Sequence, residues 1–175
     1  MITYRPATPA DHQTLLTLAR ETFAETYTDL TPEDLDHHFN TTLTPEYIES
    51  ALVQDHVIFA LDHETPIGYI QFGPTDPNLS KNIHRIYLRK THQRQGIGTH
   101  LLNLALNHPI IINAPEVSID VWSENTVALR LYQSHGFKIT REYFLTFPSG
   151  PSETPDYFMT RKNPAQPSPN PESSL

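Results

Sequence analysis

A chain of 175 residues is long enough for one domain with its own core, and the absence of cysteine excludes disulfides, thiolate nucleophiles, Cys-ligated zinc and iron–sulfur clusters. A net charge of −8, with histidine neutral, lacks the clustered Lys and Arg that neutralise phosphates; this argues against nucleic acid as a partner and is compatible with a cationic substrate. No apolar run approaches the ~20 residues of a membrane span, and MITYRPATPADH carries no basic patch followed by an apolar stretch, so neither membrane nor signal peptide is expected and the expected location is the cytoplasm.

Hydrophobic residues make up only 37%, diluted by sixteen prolines, yet they fall in periodic runs. Residues 2–5 read as a first strand. Thr8-Pro9-Ala10-Asp11 starts a helix, with Thr8 able to cap, Pro9 in the first turn and Asp11 complementing the dipole. Leu15, Leu18, Ala19, Thr22 and Phe23 then recur at helical spacing. Thr31-Pro32-Glu33-Asp34 and Thr44-Pro45-Glu46 repeat the start signal for helices ending near Asn40 and Val53.

Residues 57–61 (VIFAL), a polar turn at 62–65 and the alternating run 67–72 predict a hairpin. Gly73-Pro74 and Asp76-Pro77-Asn78 mark a loop. Residues 82–88 (NIHRIYL) alternate again, with Ile83, Arg85 and Tyr87 assigned to one face and His84, Ile86 and Leu88 to the other. Gly96-Ile97-Gly98 then opens a helix carrying Leu101, Leu102, Leu104 and Ala105, which Pro109 stops or interrupts. Residues 117–122 (VSIDVW) form a strand, and residues 125–135 a helix closed by Gly136. Residues 137–147 and 156–161 read as a final strand pair around a Pro-Ser-Gly-Pro-Ser loop. The domain therefore spans 1–162, and NPAQPSPNPESSL (163–175) is expected to be a disordered tail. The order βαα-ββ-β-α-β-α-ββ predicts an α/β class with a mixed sheet and helices on both faces.

The segment from Ile83 to Thr99 is strand, polar loop, two glycines and helix. N–H groups at a helix start have no intrahelical partner and sit at the positive end of the dipole, which makes an anion site. Glycine lets a phosphate approach the backbone closely. The segment is neither a Walker loop, which ends Gly-Lys-Ser/Thr, nor GxGxxG, because Leu101 holds the third glycine position. A plain glycine turn capping a helix is the bland alternative.

Gln93-Arg94-Gln95-Gly96-Ile97-Gly98 resembles the Q/R-x-x-G-x-G/A signature of GNAT acetyltransferases. Asp120 to Phe137 resembles the family's strand–Asn–helix–Tyr–Gly-Phe block. The likeness covers about residues 1–162 and is nearest to PaiA-type spermidine/spermine N-acetyltransferases, through Glu21-Thr22-Phe23, Ile67-Gly68-Tyr69, Arg85-Ile86-Tyr87 and Val121-Trp122 with Asn125.

The resemblance implies a GNAT fold, a mostly antiparallel twisted sheet of about seven strands splayed between strands 4 and 5. It implies acetyl-CoA as cosubstrate, a primary amine of a small molecule as acceptor, a polyamine foremost, and no metal. The loop Gln93, Arg94, Gln95, Gly96, Ile97, Gly98 and Thr99 would hold the pyrophosphate. Ile86, Tyr87 and Leu88 would face the pantetheine arm, and Asn125 and Ala128 would complete the cofactor contacts. Asn125 is equally a favoured N-cap. Tyr132 matches the family's proton donor to the leaving thiolate; a phenol of pKa ~10 suits that task, although a core aromatic fits the same position.

Such enzymes tend to carry Glu where His84 stands, and His84 could take that role; no residue stands out as the base, and His84, Asp120 and Glu124 are the candidates. Glu21, Glu25, Asp29, Glu33, Asp34 and Asp36 make the first two helices acidic, either to draw a polycation or as a solvated face. Other acceptors (a protein N-terminus, an amino acid, an amino-sugar) and a non-catalytic acetyl-CoA sensor are the alternatives. The resemblance also admits a homodimer. Ten histidines raise the question of a metal, but no HxxxH or HExxH occurs.

Overall fold

A computed structural model describes residues 1–73 and 81–164. Three threonines set the first helices. After β1 (Ile2–Pro6), the Asp11 carboxylate accepts from the Thr8 N–H and hydroxyl at 2.8 and 3.0 Å, closing a 3-10 turn (Pro9–Asp11) that leads into α1 (His12–Thr26). Thr31 and Asp34 cap α2 (Pro32–Thr41) reciprocally, each backbone N–H donating to the other's side chain at 3.2 Å. Thr44 accepts from the Tyr47 N–H at 3.1 Å to start α3 (Pro45–Gln54). A proline occupies the first turn each time, where no N–H is needed.

The strands β2 (His56–Asp62), β3 (Thr65–Gly73), β4 (Lys81–Leu88), β5 (Glu116–Trp122), β6 (Lys138–Tyr143) and β9 (Asp156–Lys162) join β1 in a seven-stranded sheet of order β1-β2-β3-β4-β5-β9-β6. Every pair is antiparallel except β4–β5. That parallel pair holds register only at Lys81↔Val117 and Asn82↔Ser118, after which the two strands diverge. The predicted α/β class, strand number and splay are therefore present.

Two cores flank the sheet. Strand β2 shows why: Val57, Phe59 and Leu61 face one and Ile58 and Ala60 the other, the period-2 alternation of a strand buried on both sides. The first core packs Leu15, Leu18, Ala19 and Phe23 of α1 with Ile48 of α3 and Tyr69 of β3. The second packs Leu101, Leu102 and Ala105 of α4 (Ile97–Leu106), Ile111 of α5 (Pro109–Ile112) and Tyr132 of α6 (Thr126–Ser134) against Val117, Ile119 and Val121.

Several expectations are corrected. Ile83 and Arg85 do not share a face: Phe72 pairs with Ile83 and Gln71 with Arg85, so His84 is the extra residue of a β-bulge. Ile83 therefore packs in the α4-side core, while Arg85 lies over the Tyr47 ring at 5.1 Å. Pro109 does not merely stop a helix but starts α5, behind a His108 cap. The last strand pair is interrupted: β6 ends at Tyr143, and β7 (Thr146–Phe147) and β8 (Gly150–Pro151) form a separate hairpin. This hairpin is anchored elsewhere, by the Ser149 hydroxyl and N–H donating to Asp34 at 2.7 and 3.1 Å. Asn163, assigned by sequence to the tail, donates through Nδ2 to the Ile111 and Ala114 carbonyls at 2.7 and 2.8 Å. The rest of the expected tail from Ala165, and the loop expected at Pro74 and Asp76-Pro77-Asn78, lie outside the described residues.

Candidate active site

Beyond Asn82, strand β4 stays paired to β3 through Ile86, Tyr87 and Leu88 while its β5-facing edge carries no ladder. The chain then makes a 3-10 turn (Lys90–His92) and enters α4 through two left-handed residues, Arg94 at φ +61° and Gly96 at φ +79°. Gln93 fixes this bend by donating through Nε2 to the Leu88 carbonyl at 3.1 Å. Turns of this kind aim successive N–H groups into one concavity, an anion-binding arrangement. Gly96 is the N-cap of α4, and a Cβ built there would meet no heavy atom within 4 Å. The positive φ favours glycine, and the space beside it is open.

The turn is one end of a groove of about 170 Å3 between β4, α4 and α6. Its walls carry Ile86, Tyr87, Leu88, Gln93, Arg94, Gly96, Gly98, Thr99, Asn125, Ala128 and Tyr132, all from the set singled out in the sequence. Three of that set point elsewhere. Ile97 is a core side chain, 3% exposed, so only its main chain can serve a ligand. Gln95 donates to the Thr91 carbonyl at 3.3 Å. His84 lies on the far side of the sheet's gap.

Asn125 Oδ1 accepts from the Ala128 N–H at 3.2 Å and caps α6. The cap uses only the oxygen of the amide. Tyr132 is 3% exposed at the meeting of the groove and the gap. Burial, with the Tyr87 phenol nearby, raises its pKa well above the ordinary phenol range. At neutral pH Tyr132 is therefore a proton donor and not a tyrosinate.

Across the gap, between β4 and β5, lies a small void of about 30 Å3, the space of about one water. Tyr27, Tyr87, Asp120, Trp122, Asn125 and Tyr132 are on its walls, and so is His84. The His84 imidazole is turned towards Asp55, with Nε2 3.7 Å from Oδ2. Burial lowers its pKa, opposed by Asp55 and the Gly73 backbone. Asp55 in turn accepts from Gln71 at 2.8 Å. Burial raises the Asp120 pKa, against the Tyr143 hydroxyl and Arg141.

One residue of this chamber, Tyr27, and one beside it, Asp156, escaped the sequence reading. Tyr27, just past α1, stacks on Trp122 at 5.3 Å. Asp156, the first residue of β9, pairs across the sheet with Trp122 and Tyr143. Its pKa is pushed up to about 6 by burial and by Asp120, against the Tyr27 hydroxyl. The one available signal was a charged residue heading the apolar run Tyr157-Phe158-Met159.

Three of the six acidic residues singled out at the first helices are committed to the fold. Glu21 pairs with Arg89 at 2.5 Å, Glu25 accepts from the Lys90 N–H at 3.0 Å, and Asp34 holds Thr31 and Ser149. Among the described residues, no helix is long and apolar enough to cross a membrane, and no three His, Asp or Glu side chains are grouped to hold a metal ion.

The sequence model of the Acetyltransferase (GNAT) family matches residues 13–137. An uncharacterized N-acetyltransferase in the pepI 3′ region of Lactobacillus delbrueckii subsp. lactis is 27% identical over 157 residues, covering 83% of this chain and 88% of that protein. The crystal structure of PaiA N-acetyltransferase from Thermoplasma acidophilum in complex with coenzyme A superposes with a TM-score of 0.75 at 22% identity, over 93% of this chain and 99% of that one. YncA from Salmonella typhimurium, a putative acetyltransferase solved with acetyl-CoA, gives 0.66 at 19% identity, over 98% and 99%.

Proposed function

The chain belongs to the GNAT acetyltransferase family and is an acetyl-CoA-dependent N-acetyltransferase; on that premise we propose that it acetylates a primary amine of a small cationic molecule, a polyamine first among them, by direct attack in a ternary complex. The observation that carries this reading is the continuity of the Gly96–Thr99 turn, Asn125 and Tyr132 along one groove that ends at the gap in the sheet. The main-chain amides of 96–99 hold the pyrophosphate, where the open space beside Gly96 suits a group that a Cβ would push away. The exposed edge of Ile86, Tyr87 and Leu88 pairs with the pantetheine arm, and the Leu88 N–H polarises the thioester carbonyl. Acetyl-CoA supplies the activated acyl group. Tyr132 delivers a proton to the departing sulfur. With no cysteine in the chain, a Cys-bound acetyl intermediate has no carrier, in keeping with direct attack.

Acceptor preference for a polycation is supported by the carboxylates of Asp120 and Asp156 beside the gap and by Asp29 near them. The test is an acceptor panel read by free-thiol release: spermidine and spermine, peptide N-termini, amino acids and amino-sugars. Turnover highest on spermidine or spermine is the expected result. Turnover confined to another class would reassign the acceptor, and acetyl-CoA binding with no turnover on any amine would leave a sensor.

A further inference from the structure

We infer that Asp156 is the catalytic base: its carboxylate, on the α1 side of the gap beside the stacked rings of Tyr27 and Trp122, receives the cationic amine and removes its proton. The inference rests on the acetyltransferase reading and deepens it.

Two buried aspartates in this chain show what Asp156 is not. Asp34, 1% exposed, accepts from the Thr31 hydroxyl and N–H and from the Ser149 hydroxyl and N–H. Those donors hold its pKa down to about 2, as befits a carboxylate that ties segments together. Asp156 is almost as buried, 4% exposed, yet its Oδ1 has no hydrogen-bond partner and it makes no ion pair among the described residues. A buried carboxylate oxygen without a donor is costly, and a fold that merely needed a residue there has cheaper choices. The partner that satisfies it is an ammonium group arriving with the substrate.

The surroundings fit that arrival. On the same face stand Tyr27 and Asp29 from the end of α1 and the segment after it, Tyr87 from β4, Asp120 from β5 and Tyr143 from β6. Arg141 stacks over Phe158 at 4.8 Å and offsets Asp120. The Tyr27 ring is itself stacked on Phe23 and on Trp122, so the aromatic contribution to holding a cation falls to the Trp122 indole beside Asp156. Tyr87 is electrostatically coupled both to Tyr132 and to Asp156, so acid and base lie on either side of one phenol. His84, a candidate base from the sequence with Asp120 and Glu124, lies with Nε2 3.7 Å from Asp55, beyond hydrogen-bond distance. That nitrogen is also buried without a partner, but it faces Asp55 and not the Tyr27–Trp122 stack.

The step balances as follows. The ammonium gives one proton to the Asp156 carboxylate, leaving a neutral amine and a carboxylic acid. The amine lone pair forms the C–N bond at the thioester carbonyl, and the C–S bond breaks. The second nitrogen proton ends on the thiol by way of Tyr132, and Asp156 returns its proton to water.

The test is the pH profile of kcat/KM for the acceptor in wild type, Asp156→Asn and Asp120→Asn, with acetyl-CoA binding by calorimetry and melting curves alongside. Wild type should rise with unit slope through a midpoint near pH 6 to a plateau. D156N should fall about 10²–10³-fold on the plateau and lose that limb, with acetyl-CoA binding unchanged. D120N, relieved of a neighbouring negative charge, should keep the limb but move it to lower pH. Because burial raises the folded pKa of Asp156 above its unfolded value, ionisation weakens the fold as pH rises through about 6. D156N should therefore melt higher than wild type at pH 7.5 and lose that advantage below pH ~4. A structural aspartate would give a lower melting temperature instead. Survival of the acidic limb in D156N, or a limb that D120N leaves in place, overturns the assignment. Should D156N fail to fold, the wild-type and D120N profiles decide alone. Wild type that neither binds acetyl-CoA nor turns over any amine sinks the acetyltransferase reading, a different failure from a wild type that turns over with no limb near 6.

Discussion

The two sides of the gap between β4 and β5 are built by different means. On the α4 side the groove wall is largely main chain: a turn with Arg94 and Gly96 in left-handed geometry, the first amides of α4, and the unladdered edge of β4. On the α1 side it is side chain: Tyr27, Tyr87, Asp120 and Trp122, with Asp156 paired beside Trp122, drawn from one helix end and three strands. A main-chain site needs consecutive residues with particular φ and ψ, so it appears as a continuous motif. A side-chain chamber needs only that strand register bring distant residues opposite one another. The first side suits a ligand that every family member shares, and the second can change its acceptor without disturbing the turn.

Substitution at Gly96 breaks the main-chain side and should produce the largest effect. Gly96→Val places a β-branched residue at φ +79°, a conformation costing ~1–2 kcal/mol. No protein atom lies within 4 Å of the new Cβ, so the fold has room for it. The chain should stay folded by circular dichroism while calorimetric affinity for acetyl-CoA falls by more than ~10³-fold, since the side chain occupies the phosphate's place. Tight binding by folded G96V would show that the turn is not the pyrophosphate site.

Tyr132 stands where the two sides meet, and Tyr132→Phe sharpens the contrast by acting on chemistry and not on binding. The phenyl ring preserves the packing against Phe137, 6.1 Å between centroids. Loss of the hydroxyl should lower kcat ~10²-fold and leave acetyl-CoA affinity within a few-fold. Because burial holds the phenol protonated far above neutrality, Tyr132 contributes no limb to the rate profile between pH 6 and 9. Unchanged turnover in Y132F would remove the residue from the reaction.

What was legible in the sequence follows the same division. The Thr-Pro starts of α1, α2 and α3 announce themselves because capping is local chemistry within four residues. The Gly96 turn and the Asn125 cap are equally local. The β4–β5 splay came only through family resemblance. The bulge at His84 was invisible, because alternation in NIHRIYL looks perfect until Phe72 is seen opposite Ile83 and Gln71 opposite Arg85. The bulge also explains why His84 lies towards Asp55 while Ile86 and Leu88 pack in the α4-side core. Asp156 was hard to see for a related reason: its neighbours Trp122 and Tyr143 are set by cross-strand register, and within β9 only its charge at the head of an apolar run marks it. The six acidic residues of α1, α2 and the segment between them looked like one surface. Separately, Glu21 and Glu25 hold the segment after β4, and Asp34 pins the β7–β8 hairpin.

Asn125 belongs to both sides, and its substitutions should give the smallest and most discriminating effect. As N-cap it satisfies the Ala128 N–H through Oδ1; as a groove residue it has, on the proposed reading, the rest of its amide for the cofactor. Asn125→Ala removes both roles, costing ~1 kcal/mol of stability and lowering the melting midpoint by roughly 2–4 °C, with acetyl-CoA affinity reduced ~10-fold. Asn125→Asp separates them. Aspartate caps as well as asparagine, so the melting temperature should return to that of wild type. It has no N–H to donate and sets a negative charge in a groove meant for a phosphate-bearing ligand, so affinity should fall at least as far as in N125A. Recovery of both stability and affinity in N125D would confine Asn125 to the helix start and leave the cofactor held by the Gly96 turn and the β4 edge alone.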